Sequence, residues 1–173
     1  MANSKMLFSF IQKWEGGWSD HKNDKGGKTN MGITLSTWRS CGYDKDGDGD
    51  IDADDLLLIT EDDVFNLYKR NYWDRWLADH IHSQSVANML VDWTWNSGTA
   101  GIKIPQRLLN VTADGIVGKV TISTLNQVNP KGFFQVLKEA RIEFINDIIR
   151  KNPSQELFRK GWLNRINDIK FIG

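Results

Sequence analysis

The stretch Trp14-Glu15-Gly16-Gly17-Trp18 closes an apolar N-terminal segment and decides how the first part of the chain folds. Apolar side chains upstream of it recur at steps of three and four, at Met6, Leu7, Phe10, Ile11 and Trp14. This spacing is typical of one buried helix face. Gly16 and Gly17 favour a helix end, because glycine readily adopts the left-handed conformation that closes a helix. The sequence therefore predicts a core-packed helix that ends at or near Glu15.

Two carboxyl groups in contrasting surroundings lie at this helix end and nine residues after it, in Glu15 and Asp24. Glu15 lies between Trp14 and Trp18, whose bulk would partly desolvate the carboxyl group and favour its protonated form. Asp24 lies in a polar stretch and is expected to stay ionised. Glycoside hydrolysis uses such a pair, one group to protonate the leaving oxygen and one to activate water or stabilise the oxocarbenium-like centre. A plain helix end followed by a polar loop has the same spacing, so both interpretations stay open from the residues alone.

The motif continues after Trp18 with Asp24, Gly26-Gly27, Thr29 and Gly32-Ile33-Thr34. Together with Glu15-Gly16-Gly17-Trp18 it resembles the signature of glycoside hydrolase family 108, the phage and prophage lysozymes that cleave peptidoglycan. The resemblance implies that Glu15 is the catalytic acid. Trp18 is a candidate substrate-binding residue. By a looser similarity to the phage lysozyme triad, Asp24 and Thr29 would hold the attacking water, although the gap before Thr29 is one residue shorter than in that triad.

The composition suits one well-cored chain, with 173 residues, 40% hydrophobic content and eight tryptophans. Cys41 is the single cysteine, so no disulfide can form within the chain. The N-terminus lacks the pattern of a secretory leader, and no stretch approaches the length of a membrane span. The resemblance to phage and prophage lysozymes implies an endolysin, which we expect to be a monomer. It would be made in the bacterial cytoplasm and released to the periplasm and cell wall by a holin or a secretion system.

The formal net charge is zero but unevenly distributed. Residues 44–63 hold ten acidic residues against Lys45 alone, a balance of −9, and the rest of the chain carries +9. The basic excess outside residues 44–63 suits binding to an anionic polymer such as peptidoglycan. An ordinary solvent-exposed surface without a partner would have the same composition. No basic helix or interleaving of basic and aromatic residues indicates nucleic acid as a partner.

The acidic stretch 44–55 matches the pattern of a twelve-residue, EF-hand-like calcium loop. Its acidic side chains fall at positions 1, 3, 5, 9 and 12, and a backbone carbonyl is supplied at position 7. Gly49 fills the turn at position 6 and Ile51 the apolar position 8. The predicted metal ligands are Asp44, Asp46, Asp48, Asp50, Asp52 and Asp55. Asp55 replaces the usual glutamate, as in dockerin loops, and an unliganded acidic surface loop is the alternative. Calcium would stabilise the loop and take no part in the chemistry.

The segment from Ser85 to Gly98 predicts a helix with Ser85 as its N-cap. Asp92 and Asn96 flank the buried face of this helix. They belong to the Val-Asp-Trp-x-x-x-Ser-Gly region, residues 91–98, which also resembles the family. In lysozyme-like folds this region borders the cleft opposite the acid. Both are candidate substrate-binding residues, and Asp92 competes with Asp24 as the second carboxylate. A helix-surface acid and a polar helix end are the structural alternatives. Trp73 and Trp76 are predicted to be core residues.

We expect residues 1–100 to form a catalytic lobe and residues 101–173 to form a second, helical lobe. The two lobes are predicted to pack as one compact unit. Asp114-Gly115-Ile116-Val117-Gly118 resembles the repeat of peptidoglycan-binding domains, although a turn of this composition is common. Asn129-Pro130 and Pro153-Ser154 predict the starts of two scaffold helices. The predicted fold is thus mainly α and lysozyme-like, with a cleft between two lobes and an inserted calcium loop.

The resemblance to glycoside hydrolase family 108 implies an N-acetylmuramidase that cleaves the β-1,4 bond between N-acetylmuramic acid and N-acetylglucosamine. A lytic transglycosylase is the alternative within the enzyme class, because it needs only one catalytic acid. A non-catalytic cell-wall-binding or secretion-accessory module is the alternative outside it. A calcium sensor is disfavoured, because sensors use paired loops and only one is present.

Overall fold

A computed structural model describes residues 1–16 and 28–172, and over these residues the protein is mainly helical, as predicted. The α-helices are α1 (Ser4–Trp14), α2 (Leu35–Cys41), α3 (Ala53–Leu58), α4 (Glu61–Tyr68), α5 (Gln84–Ser97), α6 (Ala100–Leu108), α7 (Lys119–Gln127), α8 (Pro130–Lys151) and α9 (Arg159–Asp168). Short π- and 3₁₀-helical turns occupy Lys69–Trp73, Asp74–Trp76, Ala78–His80 and Pro153–Phe158. Strands β1 (Thr29–Asn30) and β2 (Ile33–Thr34) form an antiparallel hairpin.

The chain forms two compact units. One comprises Lys5–Asn71, and the other combines Met1–Ser4 with Tyr72–Gly173. The predicted division near residue 100 stays a prediction. No helix within the described ranges is both long enough and apolar enough to cross a bilayer.

In the Lys5–Asn71 unit, the buried face of α1 is turned relative to the predicted one. Leu7, Phe8 and Ile11 are buried, whereas Met6 is 53% exposed. The buried face is turned because α1 packs against α4. The Phe8 ring contacts the rings of Phe65 and Tyr68, with centroid distances of 5.0 and 5.5 Å. The prediction of Met6 as a core residue is therefore wrong, although the helix and its end are correct.

Polar side chains define the starts of the helices, with two corrections to the predictions. Asn129 caps α8 ahead of Pro130, as predicted. The N-cap of α5 is Ser83, which accepts from the Val86 N–H, and Ser85 is instead the second residue of the helix and is buried. Pro153 begins a 3₁₀ turn rather than the last α-helix, which starts at Arg159.

The core of the second unit is centred on α5, which packs against α6 and α8. Trp73 and Trp76 are fully buried, which confirms them as core residues. Their indole N–H groups donate to Asp79 Oδ1 and Thr94 Oγ1, each at 2.7 Å. The predicted stripe of α5, with Val86, Met89, Leu90 and Trp93, is buried as well.

Candidate active site

Glu15 is the first residue after α1, and its backbone N–H still donates to the Ile11 carbonyl at 2.9 Å. The helix hydrogen bonding therefore fixes the direction in which the Glu15 side chain leaves the backbone. The side chain is half-buried. The predicted position of Glu15, at the end of a core-packed helix, is confirmed.

A cavity of about 210 Å³ lies beside Glu15 within the Lys5–Asn71 unit. Its lining comes from the end of α1, the β1–β2 turn and the start of α4 and consists of Ile11, Gln12, Glu15, Gly16, Met31, Glu61 and Val64. Glu61 thus places a second carboxyl group on the wall of the same cavity. The cavity combines apolar residues with a few polar and acidic groups, the composition typical of small-molecule sites.

The turn between β1 and β2 determines how closely the backbone approaches Glu15. Met31 and Gly32 have φ values of 49° and 82°, the positive pair typical of a type I′ hairpin turn. A methyl group built on Gly32 would come within 2.6 Å of Glu15 Cγ and 2.8 Å of its Cδ and Oε2. Glycine at this position therefore lets the carboxyl group rest directly against the hairpin.

Thr29 lies on the same hairpin, opposite Thr34 in the register of the two strands. The hairpin is anchored by Asn30, whose side chain donates to the Leu56 carbonyl at 2.8 Å. Trp18 and Asp24 lie outside the described residues. The catalytic and substrate-binding roles of Trp18, Asp24 and Thr29 stay predictions.

The acidic loop folds around its own backbone N–H groups. The Asp44 carboxylate accepts from the N–H groups of Gly47 and Gly49 at 2.6 and 2.9 Å. Gly47 and Gly49 have φ values of 82° and 103°, so the loop uses two glycines in conformations that other residues rarely adopt. The Asp55 carboxylate is 1% exposed and accepts from the N–H groups of Lys45, Asp46 and Asp52.

The six predicted ligands form two sets of three, Asp44, Asp46 and Asp48 in one set and Asp50, Asp52 and Asp55 in the other. One carboxylate oxygen from each member of a set lies within 4.8 Å of the others. Repulsion from Asp48 is the largest cause that raises the pKa of Asp50. Clustered hard oxygens of one charge are the ligands that calcium prefers, so the donor set fits this cation.

Asp92 is fully buried, which makes the interpretation as a helix-surface acid wrong. Its Oδ2 accepts from Arg141 Nη2 at 2.7 Å and its Oδ1 accepts from Arg165 Nη2 at 2.8 Å. Burial would raise the pKa of Asp92, but Arg141 and Arg165 outweigh it and hold the pKa below its ordinary value. Asn96 is exposed and donates to the Asp92 carbonyl at 2.8 Å. The roles of Asp92 and Asn96 in substrate binding stay predictions.

Comparison with known families gives a match over most of the chain. The family described as glycosyl hydrolase 108 matches residues 8–98, which include Glu15, the hairpin and the acidic loop. The chain belongs to the glycosyl hydrolase 108 family. A second family, described as a predicted peptidoglycan domain, matches residues 100–167 of this glycosyl hydrolase 108 protein. The two matches together indicate a peptidoglycan hydrolase and confirm the resemblances drawn from the sequence.

Among solved structures, this glycosyl hydrolase 108 chain is similar to SagA of Brucella abortus. The two are 25% identical and superpose with a TM-score of 0.81, over 96% of this chain and 90% of that one. A comparison with curated proteins gives no match.

The sequence did not single out Glu61, which lines the cavity beside Glu15, or Arg141 and Arg165, which bind Asp92. The position of Glu61 depends on how α4 packs, which has no local signal. Arg141 did carry a signal, because it falls within the apolar stripe of α8 and yet is charged. A buried arginine requires an acidic partner, and Asp92 is that partner.

Gly32→Ala tests the contact between the hairpin and Glu15. We expect the alanine methyl group to displace the Glu15 side chain and the turn, and so to lower peptidoglycan hydrolysis at least about tenfold, since misplaced catalytic groups cost rates of this order or more. The measurement is the initial rate of fragment release from purified peptidoglycan.

Gly98→Ala is the matched control, because Gly98 also has a positive φ, 56°, but its added methyl group meets nothing within 4 Å. It therefore reports the backbone strain without the contact. Equal losses of activity in the two variants would contradict the proposed importance of the Glu15–Gly32 contact.

Proposed function

We propose that the protein is an N-acetylmuramidase that hydrolyses the β-1,4 bond between N-acetylmuramic acid and N-acetylglucosamine. The observation that carries the proposal is the half-buried Glu15 carboxyl group, packed against Gly32 on the wall of a cavity of about 210 Å³. This arrangement lies within the residues matched to the glycosyl hydrolase family.

In this mechanism Glu15 acts as the general acid and protonates the leaving glycosidic oxygen. The contact with Gly32 limits the orientations open to the side chain, so the acid needs little reorganisation when the sugar binds. Asp24 and Thr29 position the attacking water, and Trp18 stacks on a sugar ring. The cleft between two lobes that the sequence predicts for the substrate stays a prediction.

Asp24 is the better candidate for the second carboxylate than Asp92. Both Asp92 oxygens already accept from arginines, and the carboxylate has no exposed surface. A carboxylate that activates water must reach that water directly or through one further water. Asp92 therefore holds the helices of its unit together and makes no contact with the reacting atoms.

A calcium ion bound by Asp44, Asp46, Asp48, Asp50, Asp52 and Asp55 would stabilise the loop between α2 and α3. The support is the oxygen-only donor set, with two sets of carboxylate oxygens each within 4.8 Å, and the turn at Gly49. The cation would relieve repulsion between carboxylates and supplies no catalytic step. One such loop is too few for the paired arrangement of calcium sensors.

Calcium is expected to raise the melting temperature of the protein. Saturation at about 100 times the dissociation constant adds about 2.7 kcal/mol to the free energy of unfolding. Asp48→Ala should remove most of this increase, whereas Asp62→Ala, an exposed acid of the same acidic stretch outside the predicted ligand set, should keep it. Calorimetry with and without calcium measures both, and an equal increase in both variants would contradict the assignment of the loop.

Peptidoglycan is the proposed partner of the C-terminal segment as well, supported by the match of residues 100–167 to a predicted peptidoglycan domain. As an endolysin of prophage type, the enzyme would act as a monomer on the cell wall after a holin or a secretion system has released it from the cytoplasm. The basic excess outside residues 44–63 supports attraction to an anionic wall polymer.

The lytic transglycosylase is retained as the second candidate, because Glu15 alone would meet its need for one acid. A non-catalytic wall-binding or secretion-accessory module is the candidate outside the enzyme class. Digestion of purified peptidoglycan separates the muramidase from other glycosidases. Borohydride reduction of the products should yield reduced N-acetylmuramic acid at the new chain ends. Reduced N-acetylglucosamine at those ends would contradict the proposed bond, and an absence of soluble products would favour the binding module.

A further inference from the structure

A second cavity, of about 110 Å³, lies within the unit that combines Met1–Ser4 with Tyr72–Gly173. Residues from the end of α5 and from α8 and α9 surround it. Its buried part is formed by Trp93, Arg141, Ile145, Arg165 and Ile166, and its more exposed part by Asn96, Ser97, Phe144, Ile148 and Trp162. The cavity thus has a cationic floor, apolar walls and a partly exposed rim.

Arg141 is the cation with spare hydrogen-bonding capacity on this floor. A guanidinium group has five N–H donors. Arg141 donates one hydrogen bond to Asp92 Oδ2 at 2.7 Å and makes a long contact of 3.6 Å with Met89 Sδ. Asp92 is its one acidic partner among the described residues, and Asp92 also binds Arg165. Burial lowers the pKa of Arg141, and Asp92 acts against this shift. A second anion would therefore be favoured at this guanidinium group.

Trp93 provides a second unsatisfied donor among the residues that line the cavity. Its side chain is fully buried, and its indole N–H has no hydrogen-bond partner. A buried donor without a partner is costly, and buried polar groups normally have one. The cavity thus combines a buried guanidinium group with apolar walls, and one of its lining residues carries a buried N–H without a partner.

We propose that this cavity binds a free carboxylate of the peptidoglycan stem peptide. Arginine binds carboxylates and phosphates alike with two parallel hydrogen bonds, and the apolar walls favour a carboxylate on an aliphatic arm. The volume equals that of roughly three or four waters, enough for a carboxylate with a short aliphatic arm such as a terminal alanine. Ile145, Ile148 and Phe144 would contact the aliphatic part, and Trp162 at the rim would contact the peptide that leads out. The choice of stem peptide rests on the proposed function, whereas binding of a carboxylate does not.

The test uses N-acetyl-D-alanine and, as its matched neutral probe, N-acetyl-D-alaninamide. Each is titrated into the full-length protein, and the indole N–H signals of the tryptophans are followed by NMR. We expect saturable shifts of the Trp93 and Trp162 signals with the carboxylate, and at least about tenfold weaker binding of the amide, because hydrogen bonds to charged groups exceed neutral ones by this order. Equal binding of both probes would overturn the proposal.

Arg141→Gln should weaken binding of the carboxylate at least about tenfold. Its Asp92 partner keeps Arg165, so a folded protein is expected. Arg150→Gln is the matched control, since Arg150 lies on the same helix but is 65% exposed, and it should bind as the wild type does. Should Arg141→Gln not fold, Ile148→Phe narrows the rim without touching the ion pairs and should also weaken binding. Undiminished binding in a folded Arg141→Gln or Ile148→Phe variant contradicts the assignment.

Hydrolysis is measured separately from this binding. Binding of the carboxylate without any hydrolysis of peptidoglycan would leave the cavity assigned and reject the proposed enzyme. Hydrolysis without carboxylate binding would reject the cavity and leave the enzyme. The two proposals therefore fail independently.

Discussion

Replacing Glu15 by glutamine is expected to lower the rate of peptidoglycan hydrolysis at least about hundredfold, the smallest effect usual for a general acid. Glutamine has nearly the same shape as glutamate, so the contact with Gly32 and the cavity wall are preserved. It has no proton to give to the leaving oxygen at ordinary pH. The rate of soluble fragment release from purified peptidoglycan measures the loss.

Two other glutamates serve as comparisons for this variant. Glu143→Gln removes a carboxyl group that is 61% exposed on α8, and we expect full activity. Glu61→Gln removes the other carboxyl group on the wall of the Glu15 cavity and should cost less than Glu15→Gln, because Glu61 is exposed at the first turn of α4. An unchanged rate for folded Glu15→Gln would show that Glu15 is not the acid.

Asp92→Asn is expected to lower the free energy of unfolding by about 3–5 kcal/mol, as the breaking of a buried ion pair generally does. Arg141 and Arg165 are 5% and 9% exposed in their side chains, so both would lose their charged partner with little access to water. Asp147→Asn is the control, because it removes a 48% exposed partner of Arg150 on α8. Exposed pairs contribute about 0–1 kcal/mol. Denaturant unfolding measures both losses, and equal losses would contradict the structural role of Asp92.

Asp92 also predicts a dependence of stability on pH. Burial acts to raise the pKa of Asp92, but Arg141 and Arg165 outweigh it, so the folded pKa lies below the unfolded one. Stability from this group is therefore fully present above the unfolded pKa and is lost as the pH falls through the folded value. The free energy of unfolding should therefore fall less in Asp92→Asn than in the wild type when the pH is lowered from neutral to acidic. A decrease as steep as that of the wild type would contradict this assignment.

Features that depend on neighbouring residues could be predicted from the sequence. The end of α1 at Trp14 and the start of α8 at Asn129-Pro130 follow from side chains within a few positions. The N-cap of α5 shows the limit of such signals. Ser83 and Ser85 are both suitable caps, and only the packing of Ser85, which accepts from the Ile172 N–H at 2.8 Å, excludes it.

Features that depend on distant residues could not be predicted in this way. Asp92 meets Arg141 and Arg165 across 49 and 73 positions, and no periodicity specifies such a pairing. The contact of Glu15 with Gly32 likewise depends on the fold of the hairpin against α1. Family resemblance supplied the chemistry of Glu15. The residues alone fitted a catalytic carboxyl pair and a plain helix end with a polar loop equally well.

Mass spectrometry of the fragments released from purified peptidoglycan tests the central claim most directly. The wild-type protein is expected to release muropeptides that have gained water at a reducing N-acetylmuramic acid end, and Glu15→Gln is expected to release almost none. Anhydro ends from the wild type would instead identify a lytic transglycosylase. The absence of fragments from a folded, calcium-supplied wild-type protein would contradict the assignment of an enzyme.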